Sequence, residues 1–567
     1  MSVPTHPLRP VSILDQVIAA VREAGRMLEA EFTRPGGPRF SDHVTAPVDH
    51  EMELFLRGRL LTLLPARFVG EEAGVLAGDG SGFCWVVDPH DGTRAFLEGR
   101  RGSAVSVALL RQGQPVLGVV FAPLSPDRGP DLIAWAEGME GLLRNGVRLT
   151  QRLDRRDLTP SDVVFLNHGA WQRPVWNSTA CAPARFMPLP SIAYRLARVA
   201  AGDGVATVTL RPVNAHDIAA GHALLSAMGG VLVTEDGTPV TYDEQGDSRT
   251  SAGFFGGMPA AVAVLRARTW RGSTEPRREP RIVLDWPRVP ESTALCRAAG
   301  ALLGLAIGGG VRVAEADRGR QAGQPQEATE RAFVLARVLA AHRSYAREAA
   351  EAADQAWCRS LDPGLAPGAA PGSFADTAAM LLRAVPIGIW AGSEAHAAEV
   401  ALADCAGADA TIGAGCAAVA AAVAAGIGGG APAAMLQAAM TAAGSAGAVV
   451  RAVLEQAMTG EPVGPASPAL RALHTAFVRL TAGTGVPEAM PPSLARERGA
   501  GPAAGLAGAL IGAAHGRDAF PVDWVMAVLT CRPASGMHVA RPRPEAYWLD
   551  DLLDLAEALL LDNAHLR

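Results

Sequence analysis

The sequence predicts a two-domain protein, an α+β domain followed by an all-α domain. Three observations carry this. At 567 residues the chain exceeds what one hydrophobic core holds, so two to four domains are expected. Up to about residue 265, helical and strand periodicities alternate. After an Arg- and Pro-rich stretch without periodicity, strand patterns vanish and the chain becomes Ala-rich at helical spacing. The expected divisions are 1–267, a linker at 268–289, and 290–567.

The elements follow in order. "VSILDQVIAAVREAGRMLEAEF" carries apolar residues at helical spacing, and "HEMELFLRGRLLTLL" reads as a second helix. Strands are expected at "GFCWVVDP", "SAVSVALLRQGQPVLGVVFAP" and "DLIAWAE", the middle one a hairpin turning at "RQGQP". "IAYRLARVAAG" is a helix ending at Gly202. "DIAAGHALLSAMGG" is another, opened by Asp217 and closed by Gly229-Gly230. "VLVTEDGTPVTY" predicts a hairpin over Asp236-Gly237. Beyond the linker, Gly/Pro breaks such as "LDPGLAPGAAPGS" separate helical stretches whose small residues let helices approach closely.

Composition narrows the function. Apolar residues make up 49% and charged residues 19%, a balance that suits large cores and excludes a disordered chain. A net charge of -6 gives no reason to bind nucleic acid or an anionic membrane. All basic charge is arginine, which excludes a P-loop or Schiff-base lysine; with the many Ala, Gly and Pro residues this reflects codon bias. Seven scattered cysteines without a CxxC pair point to reduced thiols in a cytoplasm. No signal peptide is visible at the N-terminus. "GADATIGAGCAAVAAAVAAGIGGGAPAAM" reads as a closely packed helix, with a membrane span as the alternative.

The chemistry concentrates in acids of the first domain. Asp49 lies in "DHVTAPVDHEME", Glu71 and Glu72 in "VGEEAG", Asp88 and Asp91 in "DPHDGT", and Asp217 in "AHDIAAGH". Hard divalent ions take oxygen ligands, and ions held by separate carboxylates activate water and clamp phosphate. A turn at Asp88-Pro89-His90-Asp91 would bring two carboxylates and the His90 carbonyl to one side. Gly92-Thr93 would then open a helix whose free N–H groups meet a phosphate, while the Thr93 hydroxyl holds a water. Taken singly, each motif has an ordinary reading: "DPHDG" a solvent-facing turn, "GEE" a loop, Asp217 a helix N-cap.

Together, "GEE", "WVVDPHDGTRAF" and "HDIAAGHALLSAMGG", with "GVVFAP" and "SIAYRLARVAAG", resemble the inositol monophosphatase superfamily over roughly residues 10 to 265. That family includes inositol phosphatases, fructose-1,6-bisphosphatases, 3′(2′),5′-bisphosphate nucleotidases and histidinol phosphatases. The resemblance implies a layered αβαβα sandwich and two or three Mg²⁺ ions. It implies that Glu71, Asp88, the His90 carbonyl, Asp91 and Asp217 ligate metal, with Glu72 a weaker or outlying ligand. Gly92 and Thr93 would bind phosphate, and Thr93 with Asp49 would activate the attacking water. Two positions depart from the family pattern. Thr45 and Asp49 enclose three residues where two are usual, so Asp49 is expected to reach the site through a bulge. His216 stands where tryptophan is common, and there it would touch substrate or fill space.

The second half is similar to the ADP-ribosylglycohydrolase family, through "CRAAGALLGLAIGGG", "QEATERAFVLARVLAA", "LLRAVPIGIWAG" and "GLAGALIGAAHGRDAFPVDWV". That family is all-α, binds two Mg²⁺ ions and cleaves glycosidic bonds to ADP-ribose. Its metal positions fall here on "GGGV" (308–311), "QEAT" (326–329) and "GAGPA" (499–503), where only Glu327 and Thr329 could serve. The expectation is a domain without the di-magnesium site, used for packing, oligomerisation or substrate binding. Glu327, Asp376 and Asp409 are its acids of first interest.

The function expected is therefore a cytoplasmic Mg²⁺-dependent phosphomonoesterase acting on a small phosphorylated sugar, inositol or nucleotide-type metabolite, with neither nucleic acid nor membrane as partner. Two alternatives stand beside it. One is a bifunctional phosphatase and N-glycoside hydrolase acting on a nucleotide- or NAD-derived metabolite. The other is a non-catalytic binding or scaffold protein.

Overall fold

Among the described residues up to 266, periodicity of two and of 3.6 residues gives two sheets and seven α-helices. The computed structural model describes residues 9–40, 46–78, 80–154, 157–247, 253–311, 320–362, 377–444, 447–463, 466–491, 500–535, 539 and 541–564. The chain divides into two units. One is Met1–Glu279 with Asp285–Arg288, and the other is Pro280–Leu284 with Val289–Arg567. Among the described residues, 268–289 forms neither helix nor strand.

In the first unit, the first sheet runs β2-β1-β3-β4-β5-β6-β7-β8. Its strands are β1 (Arg67–Gly70), β2 (Val75–Leu76), β3 (Phe83–Asp91), β4 (Ala104–Arg111), β5 (Gln114–Ala122), β6 (Asp131–Ala136), β7 (Leu142–Arg144) and β8 (Val147–Leu149). Only β1 and β3 are parallel. The β4–β5 hairpin closes at Gln112 and Gly113, both at positive φ, as the tight turn expected there requires. The second sheet runs β10-β9-β11-β13-β12. Its strands are β9 (Val163–Asn167), β10 (Arg185–Leu189), β11 (Ala206–Thr209), β12 (Val231–Thr234) and β13 (Phe254–Gly257). There β9, β10 and β11 are mutually parallel and β13 is antiparallel to its neighbours.

Helices α1 (Leu14–Phe32) and α2 (Pro47–Leu63) cover the first sheet, burying Val17, Leu28, Met52 and Leu56 against Phe68, Trp85, Val107 and Val119. The one-turn helix α3 (Thr93–Leu97) follows β3. Helices α5 (Ile192–Ala200) and α6 (Ala215–Ala227) touch both sheets and form the middle layer. Gly118 on β5 leaves room for the carbonyl of Ala220 on α6. Helices α4 (Pro174–Cys181) and α7 (Pro259–Arg266) pack on the second sheet. The order is the αβαβα sandwich that the sequence resemblance implies.

Buried ion pairs fix α5 in the middle layer. Arg198, fully buried, donates to Asp127 at 2.7 and 2.9 Å and to Asp203 at 2.6 Å. Arg144 bridges Asp131 and Asp203, and the Tyr194 hydroxyl donates to Asp131 at 2.7 Å. Burial opposes the charge of Asp127, yet Arg198 and Arg128 hold its carboxyl far below the usual range.

Two elements differ from expectation. The "DPHD" turn is instead a continuation of β3: Asp88 pairs with Ser106 and Asp91 with Ala104, with a bulge between them. A bulge is where a ladder tolerates a proline, which has no N–H to give. The second arm of the hairpin at Asp236-Gly237 forms an isolated bridge to the edge strand β12, Val233 to Pro239, and not a strand, since Pro239 has no N–H to give to a ladder.

The regular structure of the second unit's described residues is all helix, with no strand. Helix α8 (Thr293–Ala306) lies against the helix Ala500–His515, backbone to backbone. A Cβ at Gly300 would stand 2.6 Å from the Gly512 carbonyl, and one at Gly304 would meet that of Gly508. Among the described residues two stretches, Thr293–Gly310 and Ala410–Ile427, are long and apolar enough to cross a membrane, and 78% of each is buried inside the protein.

Candidate active site

The carboxylates arrive from three parts of the fold. Glu71 and Glu72 follow β1, Asp88 and Asp91 stand at the end of β3, and Asp217 lies in the first turn of α6. Oxygens of Asp88, Asp91 and Asp217 lie within 4.8 Å of one another, and so do ligand atoms of Glu71, Asp88 and His216. Five of the residues expected at the site thus form one cluster, with Asp88 shared by both groups.

Each is held by its surroundings. Glu53, fully buried on α2, accepts from the backbone N–H groups of Glu72 and Ala73 at 2.7 Å and pins the loop that carries Glu71. One oxygen of Asp88 accepts from the His90 N–H at 2.8 Å. One oxygen of Asp91 accepts from the Ser191 hydroxyl at 2.7 Å and the Ala193 N–H at 2.6 Å, at the start of α5. Asp217 is not the N-cap of α6. Asn214 takes that position, and Asp217 reaches back to its N–H at 2.6 Å, a capping box that leaves the other carboxylate oxygen for the cluster.

Concentrated negative charge raises these acids. Burial first, then Asp217, pushes Asp91 up to about 7 against the pull of Ser191 and Ala193. Asp88 lies well above the usual carboxylate range through burial and the charges of Glu71, Asp91 and Asp217. Glu71 keeps 40% of its side-chain exposure, yet partial desolvation and the charges of Asp217, Glu72 and Asp49 bring it to about 7. Asp217 and Glu72 are raised as well, burial leading in both. Burial lowers His216, whose Nε2 stands 4.0 Å from Glu71. Oxygen donors crowded against their own repulsion suit a hard divalent cation, so the donor set fits Mg²⁺.

Asp49 arrives differently from expectation. It sits in the first turn of α2 rather than at a bulge; Thr45 lies outside the described residues. Its Oδ1 is 2.6 Å from His90 Nδ1, and its Oδ2 accepts from the Ala46 N–H at 3.3 Å. The Thr93 hydroxyl donates to the His90 carbonyl at 2.8 Å. His90 therefore joins Asp49 and Thr93, one by its ring and one by its backbone. Gly92 adopts φ +105°, a left-handed conformation that a side chain would strain, and it turns β3 into α3. That helix has five residues, a single turn.

Sequence reasoning missed three residues here: the His90 ring, Ser191 and Arg195. Arg195 is buried and bonds to Thr207, Thr209 and backbone carbonyls. Burial lowers it to about 10 against the charges of Asp91 and Asp217. Read in sequence, it is one more arginine on an amphipathic helix.

In the helical unit the positions of "GGGV", "QEAT" and "GAGPA" do converge. The Gln326 N–H donates to the Gly309 carbonyl at 3.0 Å, a Cβ at Gly309 would meet Thr329, and one at Gly501 would meet the Gln326 side chain. The acids there are already engaged. Glu327 accepts from Arg320 at 2.7 and 2.9 Å and from Arg543 at 2.8 Å, and Glu330 accepts from Arg543 at 2.8 and 2.9 Å. Burial opposes the charge of Glu327, but Arg320, a backbone N–H and Arg543 hold it below its usual range. Guanidinium groups stand where cations would, so this donor set does not fit a pair of metal ions. Asp409 caps the helix Ala410–Ile427 through the Thr411 N–H, and Asp376 lies outside the described residues.

The carboxylate cluster lies on the αβαβα sandwich, next in the chain to the Gly92-Thr93 turn. Residues 11–254 match the family model of the inositol monophosphatase family, and residues 290–564 match that of ADP-ribosylglycohydrolase. An inositol-1-monophosphatase of Mesorhizobium japonicum is 33% identical over 242 residues, which is 40% of this chain and 86% of that protein. A 3′(2′),5′-bisphosphate nucleotidase of Escherichia coli is 30% identical over 170 residues, 30% of this chain and 66% of that protein. The solved inositol monophosphatase of Anabaena is 21% identical, covering 45% of this chain and 94% of its own, with a TM-score of 0.36. The chain belongs to the inositol monophosphatase family.

Proposed function

We propose that the first domain is a Mg²⁺-dependent phosphomonoesterase hydrolysing a small phosphorylated sugar, inositol or nucleotide-type metabolite. The observation that carries this is the meeting of Glu71, Asp88, Asp91 and Asp217 in one partly buried cluster beside Gly92-Thr93. Glu71, Asp88, the His90 carbonyl, Asp91 and Asp217 would hold two or three Mg²⁺ ions, which supply counter-charge to the phosphate and activate water.

The chain's own residues do the rest. Gly92 and Thr93 offer backbone N–H groups to the phosphate as charge develops on it. Asp49, oriented by the His90 ring, accepts the proton of the attacking water, and the Thr93 hydroxyl positions that water. His216, kept neutral by burial, faces the bound ester beside Glu71. Ser191, Ala193 and Arg195 hold Asp91 in place without touching substrate. In this reading the helical domain is not catalytic, since arginines occupy Glu327 and Glu330. The free, mostly buried cysteines accord with a cytoplasmic setting.

The test is Mg²⁺-dependent phosphate release by the full chain across inositol phosphates, sugar phosphates, nucleotides and NAD-derived compounds. Asp91→Asn should lower turnover by about 10³-fold, the scale of losing a transition-state charge contact. Release that survives Asp91→Asn would sink the assignment.

A further inference from the structure

A second cleft opens in the first unit at the carboxyl ends of β9 and β11, with a volume of about 330 Å³. Leu166 and Asn167 end β9 there, Val208 and Leu210 come from β11 and the residue that follows it, and Arg173, Trp176 and Trp270 complete the walls. In parallel sheets the carboxyl edge is where ligands bind. Here it is also the edge next to the carboxylate cluster. Asn167 is paired with Leu189 on β10, and Pro190, which follows, packs on Gly92.

The charges of this cleft are uneven. No acid lines it. The charge of Arg271 is met by Glu235 in a two-pronged pair at 2.7 and 2.8 Å. Arg173 is different: among the described residues its guanidinium meets no carboxylate, and its buried Nε has no hydrogen-bond partner. The neighbouring N-terminus of α4 is not free to take a ligand, because the Glu275 carboxylate already accepts from the Val175 and Trp176 N–H groups at 3.1 and 2.6 Å. Trp270 is held rigid by its indole N–H donating to the Leu265 carbonyl at 2.8 Å and by its edge against Phe255. Two indoles and one unmatched guanidinium, without an opposing acid, are the complement of a flat ring bearing a negative group.

We propose that this cleft binds the heteroaromatic ring and an anionic group of a nucleotide-type ligand, with Trp176 and Trp270 against the ring and Arg173 on the anion. This rests on the phosphatase reading for the ligand's fate, since it makes the cleft the seat of the leaving group. The binding itself rests on the cleft alone.

The test is direct titration of the full chain with adenosine 5′-monophosphate in excess EDTA, followed by tryptophan fluorescence and calorimetry. Without metal the carboxylate cluster repels anions, so the cleft is what is measured. Saturable binding is expected. Adenosine, without the charge, and inositol 1-phosphate, without the ring, should each bind about tenfold more weakly or worse. Arg173→Gln and Trp176→Ala should each weaken adenosine 5′-monophosphate by about tenfold or more. Among the described residues Arg173→Gln removes no native side-chain bond, so an unchanged melting temperature will accompany it. Absence of binding, or binding unaltered by both substitutions, overturns the proposal. Loss of Mg²⁺-dependent phosphate release in Asp91→Asn alongside such a failure would leave the phosphatase reading standing and remove only this site.

Discussion

His90 and Asp49 stand 2.6 Å apart, Nδ1 to Oδ1, with both side chains sealed from solvent. The ring lies edge-on to Phe96 at 4.5 Å, and among the described residues its buried Nε2 has no partner. A carboxylate only accepts, so Nδ1 carries the hydrogen. His90→Leu keeps much of the volume and deletes the bond, leaving Asp49 with the longer contact to the Ala46 N–H. Stability should fall by about 1–3 kcal/mol in urea unfolding. Phosphate release should lose turnover more than apparent affinity, since in the proposed mechanism a proton acceptor rather than a binding contact is misplaced. His90→Asn, which can still donate towards Asp49, should recover part of both.

The carboxylate cluster should make the metal-free protein sensitive to alkali. Acids raised in the folded state bind protons that the unfolded chain has already lost, so stability falls as pH rises between their ordinary range and the raised value. For Glu71 and Asp91 that window runs from about 4 up to about 7. In EDTA, the melting temperature should therefore drop from pH 5 to pH 8, and Mg²⁺ should cancel the drop while releasing protons. Asp127 and Asp203 act in the opposite sense. Their carboxyls are depressed, so their contribution is complete above about pH 4 and is lost only below it.

Arg543→Ala should be severely destabilising. It would leave Glu330, 2% exposed, without its partner in the interior of the helical unit. Removing one member of a buried pair costs about 3–5 kcal/mol. Burial already pushes Glu330 up to about 7 with Arg543 present, so the variant should recover stability at acidic pH as the glutamate takes up a proton. Denaturant titrations at pH 5 and pH 8 measure both effects. Mg²⁺ calorimetry should count the same number of ions for Glu327→Ala as for the unaltered chain.

Gly304→Val should disrupt the seam between α8 and the helix Ala500–His515. Any Cβ there runs into the Gly508 backbone, which cannot rotate aside as a side chain does. A loss of about 1–3 kcal/mol or more is expected, read as a lowered urea midpoint.

Much of this was legible in the sequence because it is locally written. Strands β3 to β6 show as apolar runs between turn residues, and α1, α5 and α6 show as helical stripes. Glu71, Asp88, Asp91 and Asp217 stood out because they cluster in short, acid-bearing motifs. What was hidden depends on partners distant in the chain. Pro89 signals a turn locally, yet pairing with β4 carries the strand past it. The His90 ring looked incidental, since its partner is 41 residues away. Arg543 meets Glu330 and Glu327 across 213 and 216 residues, and no local spacing announces such a pair.

The connector between the units has a practical consequence for dissecting the protein. Residues 280–284 belong to the helical unit, where Arg281 pairs with Asp550 and Asp551. Residues 285–288 belong to the first, where Trp286 stands edge-on to Phe32 at 5.2 Å and Arg288 bonds to the Gly99 carbonyl. Membership thus switches three times between Glu279 and Val289. A scissile bond placed before 280 robs the phosphatase fragment of its tryptophan, and one placed after 288 robs the helical fragment of an arginine. Half-molecules made at either point are damaged goods, and a lost activity in one of them would report the amputation rather than the division of labour.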